Sequence, residues 1–90
     1  TASLFPYKDN NDSEDLAIYT YGKGIKRISL TPKVLSLSKK VVFLVSGSSK
    51  QIALKRLIDS NESVKRTPAK LIKSESQILV FSDLEASNNL

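Results

Sequence analysis

The run Val41-Val42-Phe43-Leu44-Val45 decides the fold of this chain. Its five residues are all apolar and three of them are β-branched, which predicts a strand that is buried on both faces. Strands of that kind belong to parallel sheets whose two faces are covered by helices. The small polar sequence Ser46-Gly47-Ser48-Ser49 ends the strand.

The segments that follow this strand continue an α/β pattern. A helix is predicted over about 49–59. Its inward-facing residues are expected to be Ile52, Ala53, Leu57 and Ile58. A single helical turn is predicted at 68–72 and a second buried strand at 78–81. Segment 82–87 predicts a short terminal helix that Asp83 caps.

The segments that precede the strand predict two more strands and a helix. Strands are expected at 16–21 and 25–30, joined by the basic turn at 22–24. Thr31 can cap a short helix, and Pro32 suits its first position because no N–H is needed there. The order strand, helix, strand, helix, strand indicates an α/β fold with right-handed parallel crossovers.

The composition narrows the possible chemistry. Ninety residues make one domain at most, or a piece of one. The chain has no cysteine, which excludes disulfides and thiolate metal sites, and no histidine, which excludes every Ser–His or Cys–His nucleophile. A net charge of +5 suits an anionic partner such as a phosphorylated metabolite, a nucleic acid or an acidic membrane, although solvated surface charge explains it equally well. No apolar run approaches the ~20 residues of a transmembrane helix.

One corner of the sequence combines groups that can hold a phosphate. In Val45-Ser46-Gly47-Ser48-Ser49-Lys50 a buried strand ends and a helix begins. Gly47 lets the backbone approach a ligand closely, and the first N–H groups of the helix are unpaired in a dipole that favours an anion. Lys50 can add a positive charge, and Ser48 or Ser49 can donate a hydrogen bond. Ligands of open α/β sheets collect at this end of the strands.

A simpler interpretation of each of these residues stays open. Ser48 or Ser49 can merely cap the helix while Lys50 is solvated, and the P-loop spacing is absent. Arg27 lies in a predicted strand, where it is either an exposed edge residue or a second cation directed toward the same anion.

Five segments, taken in order, carry a family resemblance. They are Thr1-Ala2-Ser3-Leu4-Phe5-Pro6, Arg27-Ile28-Ser29-Leu30-Thr31, Val42 to Lys50, Pro68-Ala69, and Ile78 to Asp83. They resemble the motifs DGHTASLFP, R-[IV]-[ST]-L-T, V-x-F-L-V-x-G-x-x-K, P-A and L-x-W-F-x-D of the 6-phosphogluconolactonases. Val80 departs from the pattern, because an aromatic residue is usual there. The related glucosamine-6-phosphate deaminases match the opening and closing segments less well.

The resemblance implies the C-terminal part of a Rossmann-like parallel sheet flanked by helices. It implies a cytoplasmic enzyme that hydrolyses 6-phosphoglucono-1,5-lactone to 6-phosphogluconate in the pentose phosphate pathway without a metal or nucleotide cofactor. Lys50 matches the lysine that the family uses toward the substrate phosphate, and Arg27 matches an arginine that lines the same site. Gly47, Ser48 and Ser49 of the corner are the further candidates for binding this phosphate. The family's general base, a histidine, corresponds to the position immediately before Thr1.

The resemblance also implies that residues 1–90 are a C-terminal fragment of a single domain that contains no catalytic residue of its own. We therefore expect a sugar phosphate as the ligand, without nucleic acid or membrane. We also expect the chain to associate with an N-terminal portion of the same protein or with itself. A phosphosugar isomerase or deaminase of the same fold is the alternative, followed by a small basic nucleic-acid-binding module.

Overall fold

The computed structural model of the chain describes residues 4–74, 77–88 and 90. Its strands are β1 (Ala17–Gly22), β2 (Ile25–Leu30), β3 (Lys40–Val45) and β4 (Gln77–Ser82). Its α-helices are α1 (Pro32–Ser36), α2 (Gln51–Ile58) and α3 (Leu84–Ser87), and short 3-10 helices lie at Asp9–Asp12, Ser48–Lys50 and Pro68–Leu71. The first three residues of the predicted opening motif, Thr1, Ala2 and Ser3, lie outside the described residues.

The parallel sheet predicted from the central apolar run is confirmed. Strands β3 and β4 pair in parallel, with Val41 opposite Ile78 and Val45 opposite Ser82. Helix α2 lies between the two strands in the chain, so these elements form a βαβ unit. Both strand ends therefore point the same way, and the turns after Val45 and Ser82 meet at one edge of the sheet.

The first two strands form a separate hairpin and do not join this sheet. Strands β1 and β2 are antiparallel, with Gly22 opposite Ile25 across the two-residue turn Lys23-Gly24. Both turn residues have positive φ, 53° and 73°, as a type I′ turn requires. The sequence order had suggested that β2, α1 and β3 form a parallel crossover. That prediction is wrong, because among the described strands β2 pairs with β1 alone and the two form a sheet separate from that of β3 and β4.

Helix α1 begins as its capping sequence predicts. The Thr31 hydroxyl accepts a hydrogen bond from the Val34 N–H at 3.2 Å and donates one to the Asp15 carbonyl at 2.7 Å. The Thr31 side chain is fully buried, and Pro32 occupies the first helical position. The Thr31 side chain thus ties the end of β2 to the loop that precedes β1.

Three of the burial predictions are wrong for the described chain. Strand β4 was expected to be buried, but Ile78, Val80 and Phe81 are 42%, 38% and 57% exposed. Strand β3 was expected to be buried on both faces, but Val42 is 44% exposed and Leu44 is 80% exposed. In α2 the expected inward residues Ile52 and Ile58 are 67% and 53% exposed. Ala53 is exposed too. The helix instead buries Leu54, which shares the apolar side of an amphipathic helix with Ala53, Leu57 and Ile58.

Candidate functional site

The turn after β3 is held by a carboxylate from the turn after β4. Gly47 has φ 90° and ψ 152°, a conformation that favours glycine. Its N–H donates to both oxygens of Asp83, at 3.2 and 3.1 Å. Oδ1 of Asp83 also accepts the Ala86 N–H at 2.8 Å, which confirms the predicted cap of α3. One side chain thus ties the two neighbouring strand ends together.

Ser48, Ser49 and Lys50 follow as a single 3-10 turn that leads into α2. Neither this turn nor α2 receives a side-chain cap, so the simple capping role considered for Ser48 or Ser49 is not observed. Both hydroxyls are exposed and make no hydrogen bond to another described residue. They are available to a ligand at this corner.

A cavity of about 550 Å³ opens between β3, α2 and the 3-10 helix at 68–71. Its walls are mostly apolar and include all of Val42–Val45 together with Leu54 and Leu57. Three cations line it: Lys50, Arg56 and Arg66. A cavity with apolar walls and a few cationic groups is typical of a site for a small anionic ligand.

One of these cations is already paired. The Nε of Arg66 lies 2.5 Å from Oε1 of Glu62, and its Nη2 lies 2.6 Å from Oε2. The Glu62 side chain is buried, and its hydrogen bonds from Arg66 hold the pKa of that carboxyl below the usual value of 4.5. Arg66 therefore contributes less positive charge to the cavity than Lys50 and Arg56, which make no ion pair with a described residue.

Arg27 lies on the inner face of the hairpin, outside the walls of this cavity. Its Nε donates to the Gly22 carbonyl at 3.3 Å, and its guanidinium carbon lies 5.4 Å from the centre of the Phe5 ring. Its Nη1 and Nη2 groups have no hydrogen-bond partner within the described part of the chain. The guanidinium is thus fixed at one end and can donate at the other.

The segment Leu4–Pro6 connects the two predicted cation positions. Leu4 and Pro6 line the cavity that Lys50 lines, whereas Phe5 lies against Arg27 on the hairpin. The structure therefore places Lys50 and Arg27 on either side of one short segment. No direct contact joins them.

Sequence reasoning missed three features of this region. Arg56 and Arg66 line the cavity, and the Asp83 carboxylate accepts the Gly47 N–H at the turn where the backbone had been expected to approach a ligand. The Glu62-Arg66 spacing of four residues could have indicated an ion pair, but only for a helical segment. Residues 60–67 contain turns and no helix, although the Thr67 N–H bonds to the Ser63 carbonyl at 2.9 Å.

Two kinds of feature are absent from residues 4–74, 77–88 and 90. No group of three or more His, Cys, Asp or Glu residues there could hold a metal ion. No helix there is long and apolar enough to span a bilayer.

The fold and the Ser48-Ser49-Lys50 corner define a class of protein. It is an α/β protein with a parallel βαβ unit and a cavity, lined by cationic side chains, beside the ends of the strands. A sequence model of the glucosamine-6-phosphate isomerases/6-phosphogluconolactonase matches residues 1–81. A 6-phosphogluconolactonase of Borreliella burgdorferi is 45% identical over 89 residues, which cover 93% of this chain and 37% of the relative. One of Synechocystis is 33% identical over 91 residues, which cover 100% of this chain and 38% of the relative.

Solved structures agree with the sequence comparison. The crystal structure of the devB protein superposes with a TM-score of 0.84 at 25% identity and covers 99% of this chain and 39% of that one. The 6-phosphogluconolactonase of Leishmania guyanensis has the same fold, with a TM-score of 0.78 at 17% identity over 99% of this chain and 36% of that one. The chain belongs to the glucosamine-6-phosphate isomerase/6-phosphogluconolactonase family, as its motifs predicted. It spans less than two fifths of the length of the relatives it matches.

Proposed function

We propose that this chain is the C-terminal portion of a cytoplasmic 6-phosphogluconolactonase and carries part of its phosphate site. The observation that carries the proposal is Lys50, which follows the parallel strand β3 and lines the cavity at the position where the family motif has its lysine. The names of the curated relatives favour the lactonase within the family.

The proposed reaction adds one water molecule across the ester bond of 6-phosphoglucono-1,5-lactone. A base takes one proton from the water, the resulting oxygen attacks the carbonyl carbon, and the ring C–O bond breaks. The ring oxygen leaves as a hydroxyl and the new carboxylic acid ionises, so one proton is released per turnover. The chain has no histidine, so the proposed base belongs to another part of the polypeptide.

The contribution of this chain is therefore to bind the phosphate, which does not react. Lys50 and Arg27 supply positive charge, and the Ser48 and Ser49 hydroxyls can donate hydrogen bonds. The Gly47 N–H is already bonded to Asp83, so we assign Gly47 the shape of the turn rather than a direct contact. Contacts to an unreactive phosphate stabilise substrate and transition state equally, and their loss raises KM more than it lowers kcat.

The test is Lys50→Ala in the complete polypeptide, assayed by proton release from the lactone. We expect KM to rise roughly tenfold or more, since a charge-assisted hydrogen bond is worth about 1.5–3 kcal/mol. The matched control is Lys55→Ala, which removes the same charge from an exposed position of α2 that does not line the cavity. If Lys50→Ala leaves both KM and kcat unchanged, Lys50 is not in the site.

The second candidate is a phosphosugar isomerase or deaminase, because the matching family description covers both activities. Such an enzyme opens and rearranges an amino-sugar phosphate instead of hydrolysing a lactone. A panel containing the lactone and glucosamine 6-phosphate separates the two, since the products differ. Turnover of glucosamine 6-phosphate alone would replace the lactonase proposal.

We also propose that the uncovered apolar faces pack against the remainder of the polypeptide or, in its absence, against a second copy. The side chains of Leu84 and Phe81, which do not line the cavity, are 87% and 57% exposed. Such side chains favour association in water. Light scattering of the isolated residues 1–90 should therefore show a mass above that of one chain, and a strictly monomeric, folded chain would contradict the proposal.

A further inference from the structure

The ring of Phe5 occupies the space where any other residue at position 22 would place its side chain. A Cβ built on Gly22 would lie 2.1 Å from Cζ of Phe5, 2.2 Å from Cε2 and 2.4 Å from Cε1. Gly22 is buried, and its φ is not in the left-handed region. Glycine is therefore required here for space, because the tip of the ring points at the backbone of β1.

The same glycine also holds Arg27. Its carbonyl accepts the Nε–H of Arg27 at 3.3 Å, while the guanidinium carbon lies 5.4 Å from the Phe5 ring centre. That separation is within the range of a cation–π contact, about 6 Å. One residue of β1 thus admits the ring and orients the cation that lies over it.

The backbone of Phe5 is fixed independently of its ring. The buried side chain of Asn11 donates from Nδ2 to the Phe5 carbonyl at 3.0 Å. Two residues further on, the Tyr7 N–H donates to the Lys65 carbonyl at 2.8 Å. The ring is therefore presented by an anchored segment, and Arg27 lies against a surface that is already in place.

We propose that Phe5 is a positioning residue for Arg27. Its ring and the Gly22 carbonyl together hold the guanidinium so that Nη1 and Nη2 face the substrate phosphate. This inference rests on the proposed function, in which Arg27 contacts that phosphate. An arginine side chain has several rotatable bonds, and holding it in its binding geometry beforehand reduces the entropy lost on binding.

The kinetic test is a double-mutant cycle of Phe5→Leu and Arg27→Ala in the complete polypeptide, assayed for lactone hydrolysis. Leucine keeps the apolar contact but lacks the three ring atoms nearest Gly22. We expect Phe5→Leu to raise KM about fivefold with kcat within about twofold, in line with the worth of a cation–π contact. In the Arg27→Ala background the same change should leave KM unaltered, because Phe5 acts through Arg27.

The matched control is Tyr19→Leu. Tyr19 lies on the opposite face of the hairpin, where the Lys26 ammonium is 4.5 Å from its ring centre. Removing this other aromatic–cation pair should leave KM unchanged. If Phe5→Leu leaves KM unchanged, or raises it equally with and without Arg27, the proposal is wrong. Where Phe5→Leu lowers the yield of folded protein, Phe5→Met takes its place, since it refills the volume with an unbranched side chain.

A second readout does not depend on the reaction. The Nε–H resonance of Arg27 in an NMR spectrum should be displaced by the ring current of Phe5 and return toward the free value in Phe5→Leu. If the enzyme does not hydrolyse the lactone but this displacement is found and lost as described, the proposed function fails and the positioning role stands. An Arg27 resonance that is the same with and without the ring would overturn the positioning role.

Discussion

Replacing Asp83 by alanine is expected to release two turns at once. Its carboxylate caps α3 through the Ala86 N–H and holds the Gly47 N–H at the end of the neighbouring strand. The change therefore removes a helix cap and the tie between the β3 and β4 turns. The Ser48-Ser49-Lys50 corner begins at the second of these contacts.

The size of the effect follows from the two contacts. Loss of an Asp cap costs about 1 kcal/mol. The bonds to the Gly47 N–H are solvent-exposed, so we assign them about 0.5–1 kcal/mol. The free energy of unfolding should fall by about 1.5–2 kcal/mol, which corresponds to roughly 3–8 °C in Tm for a domain of 150–250 residues.

The assay combines thermal unfolding of the complete polypeptide with hydrogen exchange at the Gly47 amide. Asp83→Asn keeps a good capping oxygen and should recover most of the stability, while Gly47 exchange stays faster than in the unsubstituted protein. Glu85→Ala removes a neighbouring carboxylate from the first turn of α3 and serves as the charge control. Unchanged Tm and unchanged Gly47 exchange in Asp83→Ala would refute the reasoning.

Three further changes test the packing, the acid stability and the turn. Leu54→Ala should lower the unfolding free energy by about 2–5 kcal/mol in urea titrations, because the side chain is only 2% exposed. The hydrogen bond from Arg66 lowers the pKa of Glu62 below its ordinary value of 4.5. The pair therefore contributes its full stability at pH values above 4.5, and this stability is lost as the pH falls through the lowered pKa. Glu62→Gln should therefore flatten the acid limb of a stability–pH curve, and an unaltered limb would contradict this. Gly47→Ala should cost about 1–3 kcal/mol by chemical denaturation from backbone strain alone, since no atom lies within 4 Å of the added Cβ.

Sequence reasoning succeeded where the signal was local. The apolar run at 41–45 identified β3, and the Thr31-Pro32 pair identified the start of α1. The family motifs were equally readable, because each is a short contiguous segment. The alternation of strands and helices also gave the fold class.

Sequence reasoning failed for features that depend on contacts between distant segments of the chain. In α2 the helical period groups Leu54 with Ala53, Leu57 and Ile58 on one apolar side, but it does not show which of them the rest of the chain covers. Strand order alone could not show that β2 pairs with β1 and leaves the parallel sheet. The contact between Phe5 and Gly22 was also invisible, since a glycine gives no indication of which side chain fills its empty side.

The two sheets of the chain must assemble on different timescales. The hairpin closes across the two residues Lys23-Gly24, which is a microsecond event. Strands β3 and β4 meet only after residues 46–76 have been looped back, at an additional entropic cost on the order of 2 kcal/mol. Because Gly47 is tied to Asp83, just beyond β4, the Ser48-Ser49-Lys50 corner forms only after β3 and β4 have met. Arg27 reaches its final position only when the Phe5 segment, which is bonded to Lys65, has docked on the hairpin.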